Sequence, residues 1–240
     1  MTHRGYGNRG LSRRQFAGWT LAPIAGWAMW PGRAHASVLS ETDAASGIRV
    51  ALERGAVAAV SLLGRTDGFL GNPKVRIPLP GVLADAAKVL KATGQQKRVD
   101  ELVVAMNRAA EAAVPEARTL LVSAIKSMSV DDARQVLSGG DNSATQYFER
   151  KTREPLGVKF LPIVTKATER VKLADRYNAF ASRAARLGLM QDQDANVQQY
   201  VTGKSLDGLF LMIGEEERKI RADPVGTGSA ILKKVFGALK

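Results

Sequence analysis

The sequence predicts an all-α protein: a multi-helix bundle of about seven to nine helices, crossed by one extended proline-rich arm over about residues 67–81. Three observations carry this expectation. Apolar residues recur mostly at helical spacing, Ala, Leu, Val and charged residues dominate the composition, and a single stretch rich in Pro and Gly interrupts the pattern.

In chain order, Ile48, Leu52, Ala56, Ala59 and Leu63 share one face of a first helix over 41–63, which Gly64 stops. The arm follows. Asn72-Pro73, Pro78 and Pro80 bar a helix, while Val75, Ile77 and Leu79 alternate with Lys74, Arg76 and Pro78, so successive side chains face opposite ways. Such an arm either serves a function, as long loops often do, or lies across helices to bury its apolar face. Val99, Leu102, Val103, Met106, Ala110, Ala113, Ala117, Leu120, Ala124 and Met128 then keep one stripe in phase through Pro115. This predicts one kinked helix or two nearly collinear ones.

Ser129 with Asp132 signals a helix start for 130–137, and Gly139-Gly140 its end. A further helix begins near Asn142 and carries Tyr147 and Phe148. Leu156, Phe160, Val164, Ala167 and Val171 mark the next, with Pro162 inside it. Tyr177, Phe180, Ala181, Ala184 and Leu187 form another, ended by Gly188. The last large helix covers about 204–222, with Leu206, Leu209, Phe210, Ile213 and Ile220 inward. A short tail helix from Ser229 to Leu239 closes the chain.

Residues 1–36 read as a cleaved export signal of the twin-arginine type. Arg4, Arg9, Arg13 and Arg14 precede an apolar stretch from Phe16 to Trp30, and Ala34-His35-Ala36 has the small-x-small form of a cleavage site. Ser12-Arg13-Arg14-Gln15-Phe16 resembles the twin-arginine motif, with Ala17 and Gly18 in place of its usual Leu and Lys. Gly18, Pro23 and Gly26 weaken the stretch, and about 15 apolar residues fall short of the ~20 that span a membrane. The expected product is a single helical domain, 37–240, in the periplasm.

That cut removes His3, His35, Trp19, Trp27 and Trp30, and the chain has no cysteine. The remainder therefore lacks His, Cys and Trp. Haem, iron–sulfur, zinc and copper sites lose their usual ligands, and only oxygen-ligand metals stay open; no cofactor or metal site is expected. The leader holds five arginines and no acid, so the +12 of the whole chain falls to +7. This modest bias suits a lipid-like or anionic envelope component and, at most, peripheral membrane contact. Without a basic stripe or aromatic stacking residues, nucleic acid is not an expected partner.

Several motifs together resemble one known family. They are Asp67-Gly68-Phe69-Leu70, Asn72-Pro73 and Ile77-Pro78-Leu79-Pro80, then Asn107-Arg108-Ala109-Ala110-Glu111 with Val114-Pro115. Gly139-Gly140-Asp141, Ala144-Thr145-Gln146-Tyr147-Phe148, Phe160-Leu161-Pro162-Ile163-Val164 and Leu206-Asp207-Gly208-Leu209-Phe210, with Glu215 to Pro224, complete the set. From residue 37 onward the chain is similar over nearly all its length to the exported bacterial family known as domain of unknown function 4197. The resemblance implies a secreted or periplasmic all-helical domain and carries no activity with it.

Three short motifs lack their context. Gly203-Lys204-Ser205 ends like a phosphate-binding loop but has Gln198 where the first glycine is needed. Asp192, Asp194 and Asn196 begin like a calcium loop, yet Val197 and Gly203 occupy the glycine and glutamate positions. Ser123 and Lys126 spell Ser-x-x-Lys without its partner motifs.

Glu217 stands out, because helical phase puts it at the centre of the apolar face made by Leu206, Phe210, Ile213 and Ile220. A carboxylate there must be paired, or burial penalises its charged form. It is a candidate general acid, or an oxygen ligand shared with Glu216 or Asp207, or else one half of a buried pair with an arginine such as Arg108, or a helix end where the core has already run out. Asn107, Arg108 and Glu111 lie off the long stripe as a candidate polar patch, with an Arg108–Glu111 surface pair as the simpler reading. Asp141, Gln146 and Tyr147 sit at an expected helix start, where an anion could bind or where Asp141 or Ser143 is the cap. In the tail, Ile231, Leu232 and Phe236, beside Lys233 and Lys234, suit either a membrane surface or the protein's own core. The leading expectation is a non-catalytic binder. The alternatives are a carboxylate-dependent hydrolase of envelope glycan and a protein–protein scaffold.

Overall fold

A computed structural model of the chain describes residues 41–169, 171–186 and 196–223. All of them belong to one unit, Leu39–Lys240. The expected export signal, the expected tail helix with Ile231, Leu232, Lys233, Lys234 and Phe236, and the expected helix end at Leu187-Gly188 lie outside the described residues.

Among the described residues the fold is all-α, with eight α-helices and one 3-10 turn: α1 (Glu41–Leu63), α2 (Gly81–Ala92), α3 (Gln96–Ala113), the turn Val114–Glu116, α4 (Ala117–Lys126), α5 (Val130–Ser138), α6 (Ser143–Thr168), α7 (Lys172–Arg186) and α8 (Val197–Ala222). Pro115 behaves as its place in the stripe requires. It converts one turn to 3-10 geometry and leaves Met106, Ala110, Ala113, Ala117 and Leu121 fully buried along one continuous face.

Four boundaries depart from the sequence reading. Helix α2 follows directly from Pro80, whose carbonyl accepts from Ala84 N–H at 2.9 Å, and it buries Leu83 and Ala87. The two helices expected over 142–171 are one helix, α6, with Pro155 and Pro162 inside it. Each interior proline costs about 3 kcal/mol. Against that, Phe148, Leu156, Phe160 and Val164 are all fully buried along one stripe, each contributing about 1.5–3 kcal/mol, so burial wins. Helix α8 starts at Val197 rather than near 204, because the Asn196 side chain caps it by accepting from Gln199 N–H at 2.7 Å. The arm is non-helical, but its first part is largely a run of turns, and residues 76–80 form neither helix, turn nor strand. Its alternation holds: Val75 and Ile77 are buried, Lys74, Arg76 and Pro78 exposed.

Helix α6 occupies the middle of the bundle, packed on α8, α3 and α4. Helix α8 runs antiparallel to it, since Gln198 bonds Thr168, Arg153 bonds Asp207, and Ala144 bonds Glu217. The arm closes the bundle by seating Phe69 on Gly208 of α8. A Cβ at Gly208 would stand 2.7 Å from the Phe69 ring and 3.2 Å from Val75, so only glycine admits that approach.

Two glycines in one helix should therefore respond oppositely to alanine. Gly203 has no atom within 4 Å of an added Cβ, and Gly203→Ala should raise stability by about 0.5–1 kcal/mol. Gly208→Ala gains the same helix propensity but overpacks Phe69, and it should lose a net ~1–2 kcal/mol. Urea unfolding midpoints of the two variants check the sign of each.

Candidate functional site

The apolar core encloses few polar side chains, and three of them hold backbone from elsewhere in the chain. Asn107, fully buried on α3, accepts from Ile77 N–H at 2.8 Å, and its amide donates to the Ile77 carbonyl at 3.0 Å and to Val103 at 2.8 Å. It does for the arm what a neighbouring strand does in a sheet. Glu111, one turn on, accepts from the N–H groups of Phe69 (3.0 Å) and Leu70 (3.1 Å) and from Arg108 at 2.6 Å. Arg108 reaches on to Asp67 at 2.8 Å, and these two carboxylates, Glu111 first, raise the guanidinium above its ordinary range. Asp67 has φ 63°, a left-handed turn conformation that Asp tolerates and that this ion pair braces. Tyr200 donates to Pro78 O at 3.1 Å, and Lys74 pairs with Glu215 at 2.6 Å. Asn107 and Glu111 are thus buried beneath the arm, a correction to their expected place in a polar patch, while the expected Arg108–Glu111 pair is present with its carboxylate buried. The cause is tertiary, because the arm brings N–H groups that only these side chains can satisfy.

Glu217 is 4 % exposed and paired, though not with Arg108. Its partner is Arg221, one turn later, at 2.8 Å. Its carboxylate also accepts from Ala144 N–H (3.0 Å), Thr145 N–H (2.9 Å) and the Thr145 hydroxyl (2.8 Å). Those N–H groups are the orphan donors of the first turn of α6. The cap position falls on Asn142, whose side chain makes no cap bond, so neither Asp141 nor Ser143 caps this helix; a carboxylate from α8 does. Ser143 joins the network by donating to Val136 O at 2.7 Å and accepting from Arg221 at 2.6 Å.

The companion carboxylates do not converge on Glu217. Glu216 bonds Lys219 at 2.6 Å and raises that ammonium's pKa, while Asp207 bonds Arg153 and Lys204. Asp207 and Glu217, ten residues apart on one helix, are separated by about 15 Å along its axis. The two carboxyls of a glycosidase stand only ~5–9.5 Å apart. Ser123 and Lys126 are exposed on α4, and Ser205 lies mid-helix with its hydroxyl on Val201 O.

Asp141, Gln146 and Tyr147 do come together. They line a cleft of about 400 Å³ between α5 and α6, with Gln135, Asp132 and Arg150. Tyr147 is buried and donates to Ala124 O at 3.1 Å, and burial is the main cause that pushes its phenol pKa up. Asp132 belongs to the capping box at Ser129, whose backbone N–H and hydroxyl hold its carboxyl below the ordinary range. Among the described residues, Arg150, Gln135, Gln146 and Asp141 make no side-chain hydrogen bond or ion pair, and Arg150, which was not singled out by sequence, acts on Asp132 only through its charge. Arg221 was also missed; its i,i+4 spacing from Glu217 was the available signal.

Loss of the anchors should destabilise the fold. Asn107→Ala leaves the Ile77 N–H and C=O buried without partners, and should cost about 2–4 kcal/mol in urea unfolding. Glu217→Ala strands Arg221 and the first turn of α6, for about 3 kcal/mol. A catalytic role confined to activity would leave both melting curves in place. The pH response has a definite sign. Asp132 and Glu215, the latter lowered by Lys74, have folded values below their unfolded ones. Their stabilisation is complete above the unfolded carboxylate range and is lost as pH falls from about 5 through the depressed values. Asp132→Asn with Glu215→Gln should flatten that acid limb in a plot of unfolding midpoint against pH.

No curated protein and no solved structure matches the sequence. One family model does match, over residues 38–237, and takes in every residue of the anchors and the cleft. The chain belongs to the family described as Protein of unknown function (DUF4197).

Proposed function

We propose that this protein is an exported, non-catalytic binding protein of the cell envelope, and that the α5–α6 cleft takes an anionic, hydroxyl-rich component such as an acidic glycan. The observation that carries this reading is the contrast between the cleft and the rest of the polar interior. Asn107, Glu111 and Glu217 are consumed by backbone, whereas Arg150, Gln135, Gln146 and Asp141 face an open cleft with donors and acceptors to spare. Arg150 supplies the charge for an acid group, and the amides and Asp141 suit hydroxyls.

Two rival readings find less support. A hydrolase would need its carboxylates free and facing one another, and Glu217, Glu216 and Asp207 are each paired in separate places. A binder of lipid chains would need an apolar cavity. The apolar hollow between α1, α5 and α8, beside Ile48 and Ile220, holds only about 20 Å³, room for about one water, and the larger depressions beside Val104 (about 600 Å³) and beside Val158, Leu161 and Leu206 (about 590 Å³) are open to solvent rather than enclosed. Export by the twin-arginine route and a periplasmic location belong to the same proposal and rest on the leader's pattern alone.

Calorimetric titration with a uronate-containing oligosaccharide, against a neutral one of equal length, tests the cleft. Saturable binding of the acidic sugar is expected, and Arg150→Ala should weaken it about tenfold. Equal binding of both sugars, no binding of either, or an unaffected Arg150→Ala variant would overturn the reading.

A further inference from the structure

The solvent face of α6 has a composition that its role in the core does not explain. Between Lys151 and Lys166 the exposed residues include Pro155, Val158, Leu161 and Pro162. Val158 is 73 % exposed, the most open large apolar side chain described, and Leu161 is 38 % exposed. At 100° per residue these four, with Lys151, Lys159 and Lys166, fall within an arc of about 160°. Gly157 flattens the adjoining groove, where an added Cβ would meet only Leu206, at 3.9 Å. Among the described residues none of the three lysines makes a hydrogen bond or ion pair, although Lys151 also acts on the charge of Asp132, and Glu154 is the one acid on the arc. The face is therefore an apolar ridge bordered by uncommitted positive charge.

The backbone adds a second feature. Pro155 and Pro162 bring no N–H, so the carbonyls of Lys151 and Val158 lack their intrahelical donors. Those acceptors lie on the same exposed side. They suit a wet interface and oppose burial in hydrocarbon, where each unsatisfied group is costly. Among the described residues no helix is long and apolar enough to cross a membrane.

We infer that the α6 face from Lys151 to Lys166 docks on the surface of an anionic lipid bilayer. Val158, Leu161 and the two prolines enter the headgroup layer, and Lys151, Lys159 and Lys166 meet lipid phosphates. Charge complementarity selects this occupant: among the described residues, three lysines without a hydrogen bond or ion pair stand beside apolar groups and match an anionic surface. This surface does not depend on the α5–α6 cleft, and loss of sugar binding would leave it untouched.

Because the chain has no cysteine, a single thiol can report the contact. The full chain carrying Val158→Cys, labelled with an environment-sensitive fluorophore, is mixed with vesicles of phosphatidylcholine alone or with about one-third phosphatidylglycerol. A label at exposed Ser61→Cys on α1 serves as control. The emission at 158 should move to shorter wavelength with anionic vesicles only, and the control should not move. Lys159→Glu with Lys166→Glu should weaken binding by at least about 30-fold, because each lysine near the surface contributes about 1 kcal/mol of attraction and each glutamate adds repulsion. Vesicle binding without a shift at 158 would overturn the inference, since another segment would then make the contact. So would equal binding to neutral vesicles, or no binding at all. Retention by polyglutamate without vesicle binding would replace the lipid surface with an acidic protein.

Discussion

Buried backbone that lies outside a helix has no regular partner, and the fold depends on how that deficit is met. Ile77, Phe69 and Leu70 sit in an irregular arm pressed onto helices, and the first turn of α6 begins inside the bundle. In each place a side chain from a distant helix substitutes for the missing carbonyl or amide: Asn107, Glu111 and Glu217. The alternative would be N–H groups buried without partners, at about 1–3 kcal/mol apiece. A protein of marginal stability could not carry several of those. The three polar side chains are therefore as much part of the core as the leucines around them.

The same constraint separates structural polarity from available polarity. A carboxylate in an apolar face invites a catalytic interpretation, and Glu217 has the burial that such a role favours. It also has donors on every side, all from the protein. The cleft beside it is different, because Glu217 has already capped α6 and the helix start offers no free N–H of its first turn to an anion. Binding there must use side chains, and Arg150, Gln135 and Gln146 are the ones without other work. The solvent face of α6 shows the converse case, in which uncommitted charge and exposed apolar groups occur together on a helix whose opposite side is fully packed.

Much of the helical framework was legible residue by residue. The stripe from Val99 to Met128, the start at Ser129 and the inward face of Leu206 to Ile220 follow from spacing that only a helix satisfies. The union of the two expected segments into α6 was not legible, because the start near Asn142 and the run from Leu156 read as separate elements, and no local rule measures the burial of Leu156, Phe160 and Val164 that carries one helix through Pro155. Asn107 and Glu111 misled for a related reason. Helical phase shows that they leave the stripe, but not that an arm from 30 to 42 residues away will cover them.

By itself the sequence determined the all-α class, the chemical inventory without cysteine and with His and Trp confined to the first 36 residues, the alternation of the arm and the inward placement of Glu217. Each depends on composition or on a period of two or 3.6, and both are local properties. Tertiary structure alone decided the partners. It joined Glu217 to the start of α6, laid the arm over Asn107 and Glu111, merged two helices into α6, and brought Asp141, Gln146, Tyr147 and Arg150 to one cleft. Partner choice depends on which donors and acceptors are left unsatisfied once the helices pack, and that quantity exists only in the assembled fold.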